Sequence, residues 1–227
     1  MGQKTNHIER EVFCIIKNIN KLLFRLFLNR FLITFFTTKM TSCKDALKNW
    51  ETKTGEVAVE AVAIKLYAQN PPITKMDASL NSLDNCEHLS LSTNSIDRLI
   101  PLPGLKKLRI LSVGRNCLKK LEKLDDVAGS LEEIWASYNF ISNLDGLHNL
   151  TNLEVLYLSN NKIKDCAELG KLAGLSKLRD ILLIGNPCYD GMEKADQRRA
   201  VLAQLPNIAK IDGEMVTAAD REPAAEE

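Results

Sequence analysis

Asparagine recurs at nearly even intervals through the middle of this 227-residue chain, each time near the end of the same run of apolar residues. The run has apolar residues at its first, fourth and sixth positions, asparagine at its ninth and a further apolar residue at its eleventh. Five copies contain Asn94, Asn116, Asn139, Asn161 and Asn186, at intervals of 22, 23, 22 and 25 residues. One such unit cannot bury its apolar face alone, so the copies must stack to form a shared core.

Each copy reads as a short strand followed by a turn. Successive side chains of a strand point to opposite faces, so the apolar positions face the core and the residues between them face outward. The asparagine at the strand end can bond neighbouring backbone groups, which predicts a structural role for all five. Between strands, apolar residues recur three apart, as in Leu118, Leu121 and Leu124, a spacing typical of short helical or 3₁₀ turns. The pattern predicts an α/β fold, a leucine-rich-repeat solenoid with a parallel β-sheet on the concave face and helical caps at both ends.

The segment before the repeats, residues 40–72, has the pattern of an N-terminal helical cap. Ser42 and Asp45 have the spacing of a capping box, which predicts a helix that begins there and stops at Gly55. A second helix is predicted over 56–69, because apolar residues recur there at helical spacing.

Residues 73–191 are predicted to hold the repeats, including a degenerate early copy that begins at Ile73. Residues 192–227 are predicted to form a C-terminal helical cap, with a helix over 192–204, and an acidic tail. After this helix, Ile208 and Ile211 are predicted to close the ladder of strands.

The first 39 residues differ from the rest. They carry seven basic and two acidic residues, a net charge of +5, whereas residues 40–227 carry −4. Their longest uncharged apolar stretch, 31–38, is far shorter than the roughly 20 residues that a spanning helix needs. Two interpretations of this basic apolar extension stay open: translation starts at Met40 and the extension is not part of the protein, or it is a targeting or membrane-surface segment. No membrane contact is predicted for residues 40–227.

The outward positions of successive strands fall into columns across the predicted sheet, and apolar residues collect in its C-terminal half. Five of these residues are predicted to form one exposed surface, termed the concave patch: Trp135, Val155, Tyr157, Leu182 and Ile184. Four residues are predicted to rim it: Arg115, Glu133, Tyr138 and Asp180. An exposed patch with aromatic members is typical of a protein-binding surface. In the alternative interpretation, Trp135 and Tyr157 pack against each other or under the C-terminal cap.

Composition argues against other classes of function. The net charge of +1 lacks the basic excess of a general nucleic-acid binder, so no nucleic-acid partner is predicted. The six cysteines form no C-x-x-C pair and the three histidines are not clustered, which predicts a reduced intracellular protein with no metal site and no cofactor. No histidine has a nucleophilic partner implied by local spacing, so no catalytic residues and no enzyme activity are predicted.

Several stretches resemble one family more closely than the general repeat requires: residues 65–78, 89–94, 108–116, 131–139 and 155–161. They include surface positions that the repeat does not dictate, and the resemblance covers about 188 residues from Met40 onward. The family is that of the leucine-rich-repeat light chains of ciliary outer-arm dynein.

The resemblance implies a non-enzymatic subunit located in the axoneme of the cilium or flagellum, part of the cytoplasmic cytoskeleton. It implies binding to an axonemal dynein heavy chain at the microtubule-binding stalk tip, with tubulin as a further candidate partner, and so tuning of microtubule engagement and beating. Basic residues in the C-terminal segment of the family imply that Arg221 faces the partner. The order of residues 213–215, Gly-Glu-Met, departs from the Gly-Met-Pro usual in the family, which leaves no role assigned to Met215.

A second interpretation is a regulatory subunit of another complex. Similar 22-residue repeats occur in regulatory subunits of a protein phosphatase and in a spliceosomal protein, where the concave face grips another domain. The charge of −4 on residues 40–227 disfavours the spliceosomal role, and a phosphatase regulator would carry more repeats than this chain.

Overall fold

The computed structural model describes residues 40–221. The first described element is a helix, α1 (Cys43–Thr54), that covers one end of the solenoid. Ser42 caps it as predicted: its hydroxyl accepts the backbone N–H of Asp45 at 3.0 Å and donates to the Asp45 carboxylate at 2.8 Å. The helix ends at Gly55, whose φ of 74° is a left-handed conformation that costs glycine little.

A single sheet of eight strands follows, in sequence order from one end to the other. Its strands are β1 (Ala63–Lys65), β2 (His88–Ser90), β3 (Ile110–Ser112), β4 (Glu133–Trp135), β5 (Val155–Tyr157), β6 (Asp180–Leu182), β7 (Lys210–Ile211) and β8 (Glu214–Met215). The first seven pair in parallel, and only β8 is antiparallel to its neighbour. The predicted closure of the ladder is confirmed for Ile211, which lies in β7 and pairs with Ile181 of β6. Ile208 lies just before β7 and is buried in the core.

The predicted second helix over 56–69 is wrong. Residues 63–65 form β1 instead, with Ile64 paired to Leu89 of β2. The sequence pattern predicted that the first repeat begins at Ile73. In the structure it begins about nine residues earlier, at β1. The apolar stripe that suggested a helix does not exist as a buried face, because Val57 and Ala68 are both exposed.

The five asparagines form a ladder along the edge of the sheet, as predicted. Asn139 is typical: its side-chain oxygen accepts the N–H of Leu118 at 2.9 Å. Its amide donates to the carbonyls of Val113 and Ala136, both at 3.0 Å. The other four asparagines each accept a backbone N–H of the preceding repeat in the same way. Each asparagine thus satisfies buried backbone groups of two adjacent repeats.

The convex side is built from turns and short 3₁₀ segments, the longest of which is Cys166–Leu172. Leucines of these segments and the inward-facing residues of the strands are buried in one continuous core, from Cys43 at the N-terminal cap to Ile211 in β7. Among the described residues, no helix is long and apolar enough to span a membrane.

The C-terminal cap is helix α2 (Lys194–Gln204), which confirms a helix in this segment and moves its start by two residues. Its buried Arg198 bonds the Asp220 carboxylate with two nitrogens, at 2.7 and 2.8 Å, and the Met215 carbonyl at 2.9 Å. These bonds fasten the segment after β8 onto the helix. The Arg198 guanidinium, with further hydrogen bonds from Thr217, holds the pKa of Asp220 well below its usual range.

Acid should loosen this cap. A carboxylate whose pKa is lower in the folded than in the unfolded protein stabilises the fold above its unfolded pKa, near 4, and this contribution is lost as the pH falls below that value. We expect Asp220→Asn to lower the free energy of unfolding by about 1–2 kcal/mol at pH 7, and the difference from wild type to shrink below pH 4. Urea unfolding followed by circular dichroism at pH 7 and pH 3 measures both values.

A matched control is Asp190→Asn. This exposed carboxylate makes no hydrogen bond or ion pair among residues 40–221, so its loss should change the unfolding free energy by less than about 0.5 kcal/mol at either pH. An Asp220→Asn variant as stable as wild type at pH 7 would show that the ion pair does not fasten the cap.

Candidate functional site: the concave face of the sheet

The strand register arranges the outward residues in the columns predicted from the repeat. Glu133 of β4 lies opposite Val155 of β5, which lies opposite Asp180 of β6. In the neighbouring column, Trp135 lies opposite Tyr157, which lies opposite Leu182. Because adjacent strands are about 4.8 Å apart, these side chains form one continuous surface. The structure therefore brings the main residues of the concave patch together.

Two aromatic rings stand at the centre of the concave patch. The rings of Trp135 and Tyr157 are nearly parallel, with an interplanar angle of 19° and 6.4 Å between centroids. On its other side, Trp135 meets the His88 ring edge to face at 5.5 Å. Both Trp135 and Tyr157 are half-buried, so they pack against each other and still present surface to a partner.

Carboxylates fix the outer edges of both rings. The indole N–H of Trp135 donates to Glu133 at 2.9 Å, and the Tyr157 hydroxyl donates to Asp180 at 3.2 Å. Burial and the adjacent Asp180 charge raise the pKa of Tyr157, so its hydroxyl stays protonated at neutral pH. The rings are thus held in one orientation before any partner arrives, which reduces the entropy lost on binding.

Lys210 completes this arrangement and was not predicted. Its ammonium lies 2.9 Å from the Asp180 carboxylate and partly neutralises it. The other carboxylate oxygen of Asp180 is buried and has no hydrogen-bond partner among the described residues. Sequence reasoning missed Lys210 because the closing repeat lacks the asparagine motif that would have placed the lysine in the first outward column.

The predicted patch needs one correction. Val155 faces outward, but it is only 5% exposed, so it offers almost no contact area to a partner. Val155 lies between the outward residues of the two flanking strands and is absent from the main core. It therefore acts as packing beneath the surface. Ile184, by contrast, is 59% exposed and Leu182 is half-buried, so the accessible apolar area lies toward β6.

Arg115 and Tyr138 form one element of the rim. The Arg115 guanidinium lies over the Tyr138 ring, 4.3 Å from its centroid, in a cation–π contact. Both residues precede a ladder asparagine and have left-handed backbones, with φ of 54° and 60°. The turn geometry, repeated in successive copies, stacks the two side chains beside the concave face.

Arg221 is not part of this surface. Its guanidinium donates to the carbonyl oxygens of Pro206 and Ile208, in the loop between α2 and β7. These bonds give Arg221 a place within the C-terminal cap, and its hydrogen-bond partners there do not include a residue of the concave patch.

A row of charged residues borders the columns at the start of the strands and was also missed. Arg109 lies between two glutamates, 3.5 Å from Glu87 and 2.7 Å from Glu132. Further along, Arg179 lies 2.9 Å from Glu154. The signal in the sequence was the charged residue that precedes each first-column residue.

The N-terminal half of the concave face is polar. A cleft of about 250 Å³ crosses β1, β2 and β3 and ends at the patch. We term it the N-terminal cleft; its walls are Lys65, Tyr67, His88, Ser90, Ser92, Ser112 and Trp135. The His88 imidazole lies 3.1 Å from the Ser112 hydroxyl. Burial, and secondly the charge of Lys65, lowers the pKa of His88, so the ring is neutral at pH 7.

Reactive chemistry has little support in the described part of the chain. Burial raises the pKa of Cys43 and of Cys86 to about 11, so these thiols stay protonated and unreactive at neutral pH. Between residues 40 and 221, no group of three or more histidine, cysteine or acidic side chains is arranged to hold a metal ion.

Comparison with known proteins agrees with this architecture. A family model described as leucine-rich repeats (two copies) matches residues 130–171. A leucine-rich-repeat protein of Leptospira interrogans superposes with a TM-score of 0.55 at 21% identity, over 67% of this chain and 37% of that one. At this identity the likeness shows the fold alone.

Three sequence relatives are far more similar. Dynein axonemal light chain 1 of Homo sapiens is 50% identical over 191 residues, 81% of this chain and 97% of the human protein. The proteins of that name from Danio rerio and Chlamydomonas reinhardtii are 49% and 48% identical, and each is covered almost completely. Identity near one half along nearly the full length of these relatives, on the repeat architecture described above, makes this chain a member of the dynein axonemal light chain 1 family.

Proposed function

We propose that the protein is a non-catalytic light chain of ciliary or flagellar outer-arm dynein. In this role it binds the microtubule-binding stalk tip of an axonemal heavy chain through the concave patch and so tunes microtubule engagement and beating. The names of its relatives support a place in an axonemal dynein complex, and with it a location in the axoneme. The observation that carries the choice of surface is the pair of oriented aromatic rings, Trp135 and Tyr157, at the centre of the sheet.

The size of the aromatic pair sets a limit on what it can do alone. Complete burial of a Trp and a Tyr removes roughly 300–500 Å² from water, which corresponds to about 8–12 kcal/mol at most. Trp135 and Tyr157 are already half-buried, so the gain on binding is smaller. Association costs about 4–15 kcal/mol. A stable complex therefore needs contacts beyond the rings, and exposed Ile184 together with the Arg115–Tyr138 pair can supply them.

Calorimetric titration of the full chain into a recombinant heavy-chain stalk tip tests the proposal. We expect saturable binding with a stoichiometry of one. Tubulin, offered separately and then together with the stalk tip, tests whether it is a further partner. If the stalk tip did not bind while a protein phosphatase catalytic subunit did, the regulatory-subunit interpretation would replace this one.

A further inference from the structure

We propose that the N-terminal cleft is a binding site for a tetrahedral oxyanion, the phosphate monoester of a phosphoserine or phosphothreonine side chain on the docked partner. The identity of the carrier rests on the proposed function, whereas the anion site can be tested without it. The proposal starts from the residues that line the cleft: three serines, one tyrosine, one lysine and one histidine surround about 250 Å³ of open space beside Trp135.

The hydroxyls are uncommitted. Among the described residues, the side chains of Ser90 and Ser92 make no hydrogen bond, and the Ser112 hydroxyl contacts His88 alone. Ser90 and Ser112 lie opposite each other in the register of β2 and β3, so their side chains are about 5 Å apart. A group with several acceptor oxygens is the ligand that can use donors at this spacing together.

The charge of the cleft favours an anion. Lys65 lines it and forms no ion pair within residues 40–221. The charged groups that act on His88 are Lys65 from β1 and Glu133 from β4. Glu133 lies two strands away from His88 in the first column and is bonded to the Trp135 indole. Lys65 therefore supplies a positive charge that no direct ion pair among the described residues engages, at the end of the cleft formed by β1 and β2.

Two of the serines that line the cleft are buried, which affects the class of anion that the cleft can bind. Ser112 is 3% exposed and Ser90 is 8% exposed, although both side chains face the concave side. An anion that reaches them leaves bulk water, so each donor contributes more than it would at an open surface. A phosphate group presents three oxygens to the donors, whereas a carboxylate presents two. The number of converging donors therefore favours phosphate.

Binding should take up a proton. The neutral His88 ring beside a dianion gains by becoming charged, so the bound state favours imidazolium. Sulfate is the suitable first probe, because it has the same shape and charge but does not titrate near neutral pH. Its affinity should therefore rise as the pH falls through the pKa of His88.

The test is a sulfate titration of the full chain, followed by NMR of the histidine Cε1–H groups at about pH 6 and pH 8. The chain has three histidines, and exposed His148 serves as the internal reference. We expect a saturable shift of His88 with an affinity at least about threefold higher at pH 6. Lys65→Met and Ser112→Ala should each weaken sulfate at least about fivefold, and the control Lys164→Met should not. No saturable shift, or equal loss in the control, would overturn the site.

Peptide probes identify the carrier of the anion. A glycine–serine peptide with one phosphoserine should bind at least as tightly as inorganic phosphate, and its unphosphorylated and glutamate versions about tenfold more weakly. Equal binding of the glutamate version would reassign the site to carboxylates. Tighter binding of inorganic phosphate than of the phosphopeptide would reassign it to the free ion. Because no heavy chain is present in these titrations, their outcome is independent of the test of the proposed function.

Discussion

Asn139→Ala is expected to lower the free energy of unfolding by about 3 kcal/mol. The substitution leaves the buried N–H of Leu118 without its only acceptor among the described residues and takes a donor from the carbonyls of Val113 and Ala136. A buried backbone group without a partner costs about 1–3 kcal/mol, and the empty space left by the amide adds to that cost. Urea unfolding at pH 7 measures the change.

The control for this prediction is Asn149→Ala. Asn149 is exposed on the convex side, and its side chain makes one 3.2 Å hydrogen bond to Asp125. Its replacement should change stability by less than about 0.5 kcal/mol. If Asn139→Ala were no more destabilising than Asn149→Ala, the ladder would have no structural role at that repeat.

The two ends of the ladder have no asparagine. After the last asparagine, Asp212 bonds groups of the preceding repeat from a different position, since the register of β6 and β7 places it opposite Leu182. Its carboxylate accepts the N–H groups of Leu183 and Ile184 at 2.6 and 2.9 Å, and the Tyr189 hydroxyl at 3.0 Å. All three groups are donors, so a side chain without donors is sufficient. At the other end, Gln69 occupies the register position of Asn94, and there no preceding repeat offers an N–H group.

The middle of this fold could be predicted because two independent periods agree there. The interval of 22–25 residues sets the stacking, and the alternation within each strand sets which side chains face outward. The columns that contain Trp135 and Tyr157 follow from these two facts alone. The positions of these two rings on the concave face were therefore predicted without any coordinates.

The first repeat could not be predicted in the same way. Gln69 hides the motif, and the apolar residues between Val57 and Ala68 fit a helical stripe as well as a strand. Pairing of Ile64 with Leu89 decides between the two, because stacking on β2 supplies the burial that a helix would lack. The N-terminal cleft depends on β1, which contributes Lys65. Because a helix was predicted over this segment, the sequence did not predict that Lys65 lies beside His88 and Ser90.

The burial of individual side chains on the concave face could not be predicted from the sequence either. The register indicates that Val155 and Asp180 face outward, and they do, but both are less than 7% exposed. The Lys210–Asp180 ion pair and the neighbouring rings cover this part of the face. Outward direction is a local property of a strand, whereas exposure depends on the sizes of side chains in adjacent strands. The periodicity of the sequence predicts the outward direction of a side chain but not its exposure.

Trp135→Ala is expected to weaken binding to the heavy-chain stalk tip by about 2–4 kcal/mol, the range of an interface hot spot. The substitution removes the half-exposed indole, the face on which Tyr157 stacks and the N–H that orients Glu133. All three effects fall on the concave face, while the core leucines beneath it are unchanged. Calorimetry of the variant against the stalk tip, beside wild type, measures the loss, and thermal unfolding measures the fold.

Phe140→Ala is the matched control for this substitution. Phe140 is 50% exposed and follows the ladder asparagine Asn139, outside the outward columns, so its loss should leave binding within about 0.5 kcal/mol of wild type. Tyr157→Phe isolates the hydroxyl bond to Asp180 and should cost less than Trp135→Ala, because the stacked ring remains. Loss of the thermal transition in Trp135→Ala would make the indole a core residue. Equal weakening by Phe140→Ala would place the docking surface at the turns, away from the concave patch.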